Sequence, residues 1–425
     1  MPPIRFIHAA DLHLDAAFSG LSRDIPADFA ERLRTATFTA FRRLLDLCER
    51  ESPDFLLLAG DVYNQEDASV SAQLALRDGF RRLESLSIPV FLVHGNHDPL
   101  ASRLRSVRWP GNVTVFGELP DAVPVFRKGE GTPLAIIHGA SHASGRETRN
   151  LAALFRRTEA CGLHVGLLHA TPGDADGVAR YAPFSQEDLK ASGMDYWALG
   201  HIHDRREVCR EPLAAYPGCT QGLHINEPGE KGCLLVTAEA RPDGGYAVRT
   251  SFRPLGPAVW KTLDMDLGGA ASLDELENRL RTGLDRAAAE VWSGCEMLLV
   301  RLRLQGRTEL DGLLRKGTTC AELADRLRED GNGVPRIWIK DIDVATRPCV
   351  ERGALLERED LLGEVFRLSE AARTASGLQA LREGPLAPLF AHARAGKALE
   401  PLTDEELARL LDDAESLCLD LLESD

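Results

Sequence analysis

The chain of 425 residues has no uninterrupted apolar run approaching the ~18 residues of a membrane-spanning helix, so no such span is expected. Its start, Met1-Pro2-Pro3-Ile4-Arg5, lacks the long apolar stretch and small-residue cleavage site of a secretory signal. Cysteine is scattered and odd in number at nine, with no Cys-x-x-Cys pair. That disfavours a disulfide framework and points to reduced thiols in a cytoplasmic setting. The nearest set, Cys209, Cys219 and Cys233, matches no zinc spacing and reads as small core residues. There is no Gly-x-x-x-x-Gly-Lys-[Ser/Thr] loop, so any ATP hydrolysis linked to this protein falls to another chain. Excess basic charge is missing too: 50 Lys and Arg against 65 Asp and Glu leave a net charge of -15. A chain gripping nucleic acid over its whole surface should instead be basic. Internal repeats and low-complexity segments are absent.

What is present is an ordinary globular composition, 44% hydrophobic and 27% charged, at a length that suggests two or three domains. The negative charge is uneven. Residues 403–425 carry nine acids and one base, a net -8, leaving -7 for the other 402 residues. Whole-chain charge therefore weighs little against a nucleic-acid partner. In this tail Leu407, Leu410, Leu411, Ala414, Leu417, Cys418, Leu421 and Leu422 recur at helical spacing, behind a Thr403…Glu406 capping box. The pattern suits either a helix packed on its own domain or a docking helix for a partner.

Across residues 1–255, short apolar runs alternate with amphipathic stretches. Ile4–Ile7, Phe55–Leu58, Val90–Val93, Val113–Phe116, Leu134–Ile137, Val165–Leu168 and Trp197–Leu199 read as buried strands, with helices over Ala27–Glu49 and Val70–Leu86. This order predicts an α/β domain with a partly parallel sheet. A hairpin follows, Cys233–Ala238 and Tyr246–Phe252. Residues 258–345 read as a smaller α/β domain with strands Trp260–Met265, Met297–Leu304 and Arg336–Val344 and helices Leu273–Val291 and Glu309–Asp330. Residues 346–425 read as a helical region.

Polar residues stand just past the predicted strand ends: Asp11 and His13, Asp61, Asn96 with His97 and Asp98, His169, then His201 and His203. Ligands of open α/β sheets bind outside the carboxyl ends of strands, so these residues converge on one crevice. Imidazole, carboxylate and amide donors without thiolate suit Mn, Fe or Zn. Seven candidate ligands, Asp11, His13, Asp61, Asn96, His169, His201 and His203, are too many for one ion but right for two sharing a carboxylate. Two metals about 3.5–4 Å apart supply a nucleophile at neutral pH and clamp a phosphoryl group. His97 is placed to protonate the leaving oxygen, and Asp98 to orient its imidazole. His169 is preferred as the ligand between Asn96 and His201 because it ends an apolar run before Thr171-Pro172-Gly173, although His138 also ends such a run. Taken singly, an Asp-x-His, a Gly-Asp turn or a lone histidine has a bland explanation in a turn or a satisfied core. All of them in this order at successive strand ends do not. Arg103, Arg105 and Arg108, and further on Arg205, follow these motifs closely and are candidates for gripping phosphate, by the fork geometry of arginine. Pairing with nearby acids would be the plainer role.

This series resembles the calcineurin-like metallophosphoesterase superfamily over about residues 4–225. Asp11-Leu12-His13-Leu14-Asp15, together with Tyr216-Pro217-Gly218…Gln221-Gly222…Gly229-Glu230-Lys231-Gly232, looks like the SbcD-type DNA repair exonucleases, nearest the bacterial YhaO-like branch. The resemblance implies a sandwich of mixed sheets flanked by helices, with the second α/β domain capping the site. It implies Asp11, His13, Asp61 and His203 around one metal, and Asp61, Asn96, His169 and His201 around the other, with His97 as the catalytic histidine. It also implies Mn²⁺-dependent, often 3′-to-5′, cleavage of DNA, an SbcC-like coiled-coil ATPase partner and a homodimer through the early helices. The same motifs would serve a phosphatase or small-substrate phosphodiesterase, and a non-catalytic scaffold is the remaining alternative.

Overall fold

Strands covered on both faces need near-continuous apolar runs, and the runs in this sequence form them. The computed structural model describes residues 2–21, 25–64, 70–101, 107–173, 180–242, 244–329, 333–349, 352–392 and 402–422. Strands β1 (Ile4–Ala9), β2 (Phe55–Ala59), β3 (Val90–Val93) and β4 (Val113–Val115) pair in parallel, in that order. The crossovers are α1 (Ala27–Arg34) with α2 (Ala36–Glu51), then α3 (Val70–Ser85). The single helix expected over Ala27–Glu49 is broken at Thr35, whose hydroxyl donates back to the carbonyls of Glu31 and Arg32. Such local side-chain bonds compete with the helical ladder.

The second sheet is built from β5 (Asp121–Val125), β6 (Ala135–Ala140), β7 (Leu163–His169), β8 (Tyr196–Gly200), β9 (Arg206–Arg210) and β10 (Leu213–Tyr216), with α4 (Gln186–Ala191) before β8. Its order is β5-β6-β7-β8-β10-β9, and β6, β7 and β8 run parallel. Strand β5 is short and holds Pro124, and β9 is mostly polar, which is why periodicity passes over them. The hairpin β11 (Gly232–Ala240) and β12 (Tyr246–Pro254) returns to the first sheet, giving the order β12-β11-β1-β2-β3-β4.

The two six-stranded sheets share a core of Phe6, Phe55, Leu57, Phe91, Ile137, Val165 and Tyr196, with Phe6 stacked on Phe55 at 4.7 Å between ring centres. Helices α2 and α3 cover the outer face of the first sheet through Phe41, Leu44, Leu76 and Phe80. The result is the mixed sandwich flanked by helices that the resemblance implies.

Strand β13 (Ala258–Asp266), helix α5 (Leu273–Glu290), β14 (Met297–Thr308), α6 (Asp311–Leu314), α7 (Thr319–Glu329) and β15 (Arg336–Pro348) follow, with a three-stranded sheet in the order β13-β14-β15. The helix expected over Glu309–Asp330 is thus two short ones, with Gly317 among the residues between them. Residues 1–266, 273–305 and 313–345 form one compact unit. Within it Trp260, Met297 and Trp338 pack with Phe29 and Leu33 of α1, and Arg43 donates to Glu296 at 2.7 Å.

The second unit comprises residues 267–272, 306–312 and 346–425. Its helices are α8 (Arg352–Leu356), α9 (Leu361–Ala372), α10 (Ala375–Glu383), α11 (Ala387–Ala391) and α12 (Asp404–Leu422). The capping box at Thr403 and Glu406 is formed, both backbone N–H groups finding the opposite side chain. The buried face of α12 is rotated from the leucine stripe, however. Leu407, Glu415 and Leu419 are covered, whereas Leu410, Leu417, Leu421 and Leu422 are exposed. The cause is electrostatic: Arg352 and Arg373 draw the Glu415 carboxylate inward, at 2.7 and 3.2 Å. Among the described residues no helix is long and apolar enough to cross a membrane.

Candidate metal centre

Each of the seven candidate ligands lies at or just past the carboxyl end of a parallel strand: Asp11 and His13 after β1, Asp61 after β2, Asn96 after β3, His169 closing β7, and His201 and His203 after β8. Backbone bonds knit the strand ends together. Asp11 N–H donates to the Gly60 carbonyl and His13 N–H to that of Asp61, both at 3.1 Å. The N–H of His201 lies 3.1 Å from Asp11 Oδ2.

Two groups of donors result. Asp11, His13 and His203 form one, and Asp61, His169 and His201 the other, each with ligand atoms within 4.8 Å of one another. Asn96 joins the second group: its Oδ1 is 3.0 Å from His169 Nε2 and 3.1 Å from His201 Nδ1. Asp61 joins the two, with Oδ2 3.3 Å from His169 Nε2 and 4.0 Å from His13 Nε2. The imidazoles are oriented from behind. His169 Nδ1 lies 3.0 Å from the Ala59 carbonyl, His13 Nδ1 2.7 Å from Asn64 Oδ1, and His203 Nδ1 2.5 Å from Glu227 Oε1. His138, the alternative to His169, pairs instead with His164 at 2.9 Å.

The backbone bears the cost of this convergence. Among the described residues eight non-glycines have positive φ, and four are candidate ligands: Asp11 (51°), His13 (41°), Asp61 (48°) and His201 (105°). Residues held in such sparsely populated conformations cluster at functional sites. Space is equally tight. A Cβ on Gly95 would stand 2.3 Å from Asp61 Oδ1 and 2.8 Å from the His169 ring.

The electrostatics favour cations. Burial pushes Asp11 up to about 6, although His169 and His203 oppose it. Burial would also raise Asp61, but His169, His13 and His97 more than reverse this and hold it down. His169 is held up at about 9, its burial outweighed by Asp61 and Asp11, and His203 is raised by Glu227 and Asp11 against its own burial. Buried carboxylates thus draw positive charge into the crevice, a role a divalent ion can take from protons. The donor set of the two groups is imidazole, carboxylate and amide without thiolate, which fits two divalent cations of the Mn, Fe or Zn kind.

His97 sits exposed at the mouth, with its ring 5.2 Å from that of His13 and its N–H donating to Asp61 Oδ1 at 2.9 Å. Asp98, expected to orient this ring, is turned inward. Its oxygens accept from the N–H groups of Gly95 (2.7 Å) and Val62 (3.1 Å), and Oδ2 lies 3.2 Å from His94 Nδ1. Full burial explains the difference, since a covered carboxylate takes the nearest fixed donors. Asp98 therefore ties the β2 and β3 loops rather than the imidazole beside it.

The four arginines fare unequally. Arg103 and Arg105 lie outside the described residues, and Arg108 is exposed. Arg205 stacks its guanidinium 3.9 Å over the Phe252 ring on β12. Sequence reasoning missed Glu227, Asn64 and the Ala59 carbonyl, which orient ligands without being ligands. Asn64 lies three residues past Asp61, and Glu227 falls between Gly222 and Gly229, in a gap of the motif from Tyr216 to Gly232.

A calcineurin-like phosphoesterase family model matches residues 4–205, and a model of the middle domain of metallophosphoesterase YhaO matches residues 260–347. The chain is 34% identical over 388 residues to the uncharacterized metallophosphoesterase YhaO of Bacillus subtilis, covering 90% of this chain and 91% of that protein. It is 27% identical to the DNA double-strand break repair protein Mre11 of Aeropyrum pernix, over 68% of this chain and 69% of that one. Among solved structures, a dimetal phosphatase from Danio rerio is similar at 14% identity and a TM-score of 0.34, over 59% of this chain and 99% of the other. Strand-end ligands, paired donor groups and the YhaO match across nine-tenths of both sequences lead to one conclusion: the chain belongs to the calcineurin-like metallophosphoesterases, in the family of YhaO.

Proposed function

We propose that this metallophosphoesterase cleaves phosphodiester bonds of DNA, as an SbcD-type repair exonuclease. The observation that carries the reading is Asp61, whose carboxylate stands between the two donor groups and also fixes the backbone of His97 at the mouth. Asp11, His13, Asp61 and His203 would hold one ion, and Asp61, Asn96, His169 and His201 the other. Two divalent ions would supply Lewis acidity and a water nucleophile at neutral pH.

The protein's own groups do the rest. Fixed imidazoles keep the donor geometry, and buried Asp11 and Asp61 concentrate negative charge beneath the phosphate. A ring nitrogen of His97 gives its proton to the departing oxygen as the phosphorus–oxygen bond breaks. Exposed Arg108 and Arg205 flank the mouth in sequence and are the described candidates for the DNA path. The DNA assignment draws on the distant likeness to Mre11 proteins of double-strand break repair. Such a nuclease would work with a coiled-coil ATPase on a separate chain, in a reducing cytoplasm suited to nine free cysteines. Manganese is the metal we expect.

The test compares end-labelled DNA, a simple phosphodiester and a phosphomonoester, with Mn²⁺ or with EDTA. Metal-dependent DNA cleavage that is lost in His97→Ala supports the reading. Monoester turnover without DNA cleavage assigns a phosphatase instead, and a metal-loaded protein inert on all three, with or without an ATPase partner, is a scaffold.

A further inference from the structure

We propose that Glu227 is the positioning residue of His203: its carboxylate holds the imidazole proton on Nδ1, so that Nε2 is the atom presented beside Asp11 and His13. The inference rests on the metal-centre reading above.

The two ring nitrogens of His203 are divided between opposite surroundings. Nδ1 meets Glu227 Oε1 at 2.5 Å, whereas Nε2 lies 3.2 Å from His13 Nε2 and 3.9 Å from Asp11 Oδ1. A proton on Nδ1 gives the acceptor-only carboxylate its donor and leaves Nε2 with a lone pair. Glu227 is itself fixed. Its Oε2 accepts the Leu223 N–H at 2.7 Å, its own N–H donates to the His224 carbonyl at 2.9 Å, and it is only 7% exposed. Water therefore competes little for the bond.

The segment carrying Glu227 also grips His203 from the backbone side. The His203 carbonyl accepts from Lys231 Nζ at 3.0 Å and from the Cys219 N–H at 3.3 Å. Close approach depends on two glycines: a Cβ on Gly218 would stand 2.7 Å from the His203 oxygen, and one on Gly222 would stand 2.8 Å from the Glu227 oxygen. The loop between β10 and β11 thus clasps one ligand by its main chain and its ring together. His13 and His169 are oriented by neutral oxygens, and His203 by a carboxylate. A carboxylate behind a histidine ligand fixes the tautomer and raises its basicity.

A rival role exists. His203, Cys219 and Glu227 offer donor atoms within 4.8 Å of one another and could hold a third ion. An ion bound to both His203 Nδ1 and Glu227 at ordinary zinc distances would separate nitrogen and oxygen by about 3.4 Å. The observed 2.5 Å is well short of that separation, and even of the ordinary range of about 2.7–3.2 Å for an N–H···O bond, so the ring nitrogen and the carboxylate oxygen meet directly with no room for an ion between them.

The test uses full-length protein stripped of metal, titrated with Mn²⁺ in a calorimeter, with ¹⁵N spectra of the histidine rings recorded at alkaline pH where His203 is neutral. Wild type should bind two ions and show His203 protonated on Nδ1. Glu227→Ala should lower the affinity for one ion by about 10–100-fold, leave the other unchanged and shift the proton towards Nε2. Should Glu227→Ala not fold, Glu227→Gln carries the test. Its single oxygen serves either His203 or the Leu223 amide, and a several-fold loss at the same ion is expected. His224→Ala, which removes another neighbour of Glu227, should change neither reading. Two ions bound as tightly in folded Glu227→Ala as in wild type, with the tautomer unchanged, would overturn the proposal. So would a third ion that disappears in Cys219→Ala. Failure of wild type to bind any ion would defeat the metal-centre reading instead, and the ring spectra would still decide the role of Glu227.

Discussion

Asp61 accepts the backbone N–H of His97 through Oδ1 at 2.9 Å, while its Oδ2 faces the imidazole of His169 at 3.3 Å. One carboxylate thus fixes the group proposed to release the leaving oxygen and joins the two donor groups. The two functions separate by mutation. His97→Ala should leave two-ion binding intact and reduce turnover of a phosphodiester by about 10²–10⁴-fold, the range for loss of a general acid. Asp61→Ala should lose both turnover and the second ion. Metal content by mass spectrometry beside steady-state kinetics checks this. An Asp61→Ala protein that keeps two ions would contradict the bridging role.

Gly95 is a second point of leverage. Because an added Cβ would stand 2.3 Å from Asp61 Oδ1, Gly95→Ala must displace that carboxylate or the loop. Gly95 is buried but lies in the loop after β3 and not within a strand or helix, so the fold should survive with a modest fall in melting temperature. Metal affinity should drop by at least tenfold. Calorimetry on the folded variant measures it, and wild-type affinity would show that the loop yields freely.

Stability should depend on pH through buried neutral histidines. Burial pushes His8 down to about 3, against the Leu199 carbonyl, and burial with the charge of His164 pushes His138 down to about 4. Their unfolded value is near 6.5, so between pH 6.5 and 4 the unfolded chain binds protons that the folded one does not. Stability is then complete above pH 6.5 and falls as the pH drops, by up to about 1.4 kcal/mol per unit for each histidine. His169, held up at about 9, acts in the opposite window: its contribution is full below pH 6.5 and fades as the pH rises through 9. Urea unfolding of EDTA-treated protein at pH 7, 6 and 5 reads the first window. His138→Leu should flatten the slope, and an unchanged slope would rule His138 out as a source.

In the helical unit the ranking of α12 residues is opposite to that suggested by hydropathy. Glu415→Ala removes the carboxylate that Arg352 and Arg373 share, although they keep Glu370 and Asp412, and should cost about 1 kcal/mol. Leu417→Glu and Leu421→Glu alter side chains that are 55% and 70% exposed and should stay within about 0.5 kcal/mol of wild type. Chemical denaturation of the three variants compares them. Binding of an ATPase partner that fails only in the leucine variants would assign the exposed leucines to docking.

The contrast between α12 and the metal centre shows what a linear sequence discloses. Asp11, Asp61, Asn96, His169 and His201 were legible because each follows an apolar run that must become a strand, and parallel strands bring their ends together. Identity and position were both written locally. Glu227 is not legible, since it lies in the loop between β10 and β11, follows no apolar run, and meets His203, 24 residues before it, only because that loop folds back. Asp98 was misread for a related reason: adjacency to His97 suggested contact, whereas burial turned the carboxylate towards Gly95 and Val62. The same holds for Glu415, whose burial is decided by two arginines on other helices. The second sheet is legible in part, as β6, β7 and β8 are apolar runs, whereas edge strand β5 is short and interrupted by Pro124 and edge strand β9 is polar.

The left-handed backbone at Asp11, His13, Asp61 and His201 sets the crevice against the rest of the fold. Each such residue costs about 1–3 kcal/mol relative to a relaxed conformation, a strain glycine largely avoids. Selection for heat resistance alone would therefore drift towards glycine or asparagine at positions 13 and 201, and would erase the donors while improving the scaffold. A histidine at either place is accounted for by the donor its ring offers to the crevice, not by the backbone it has to occupy.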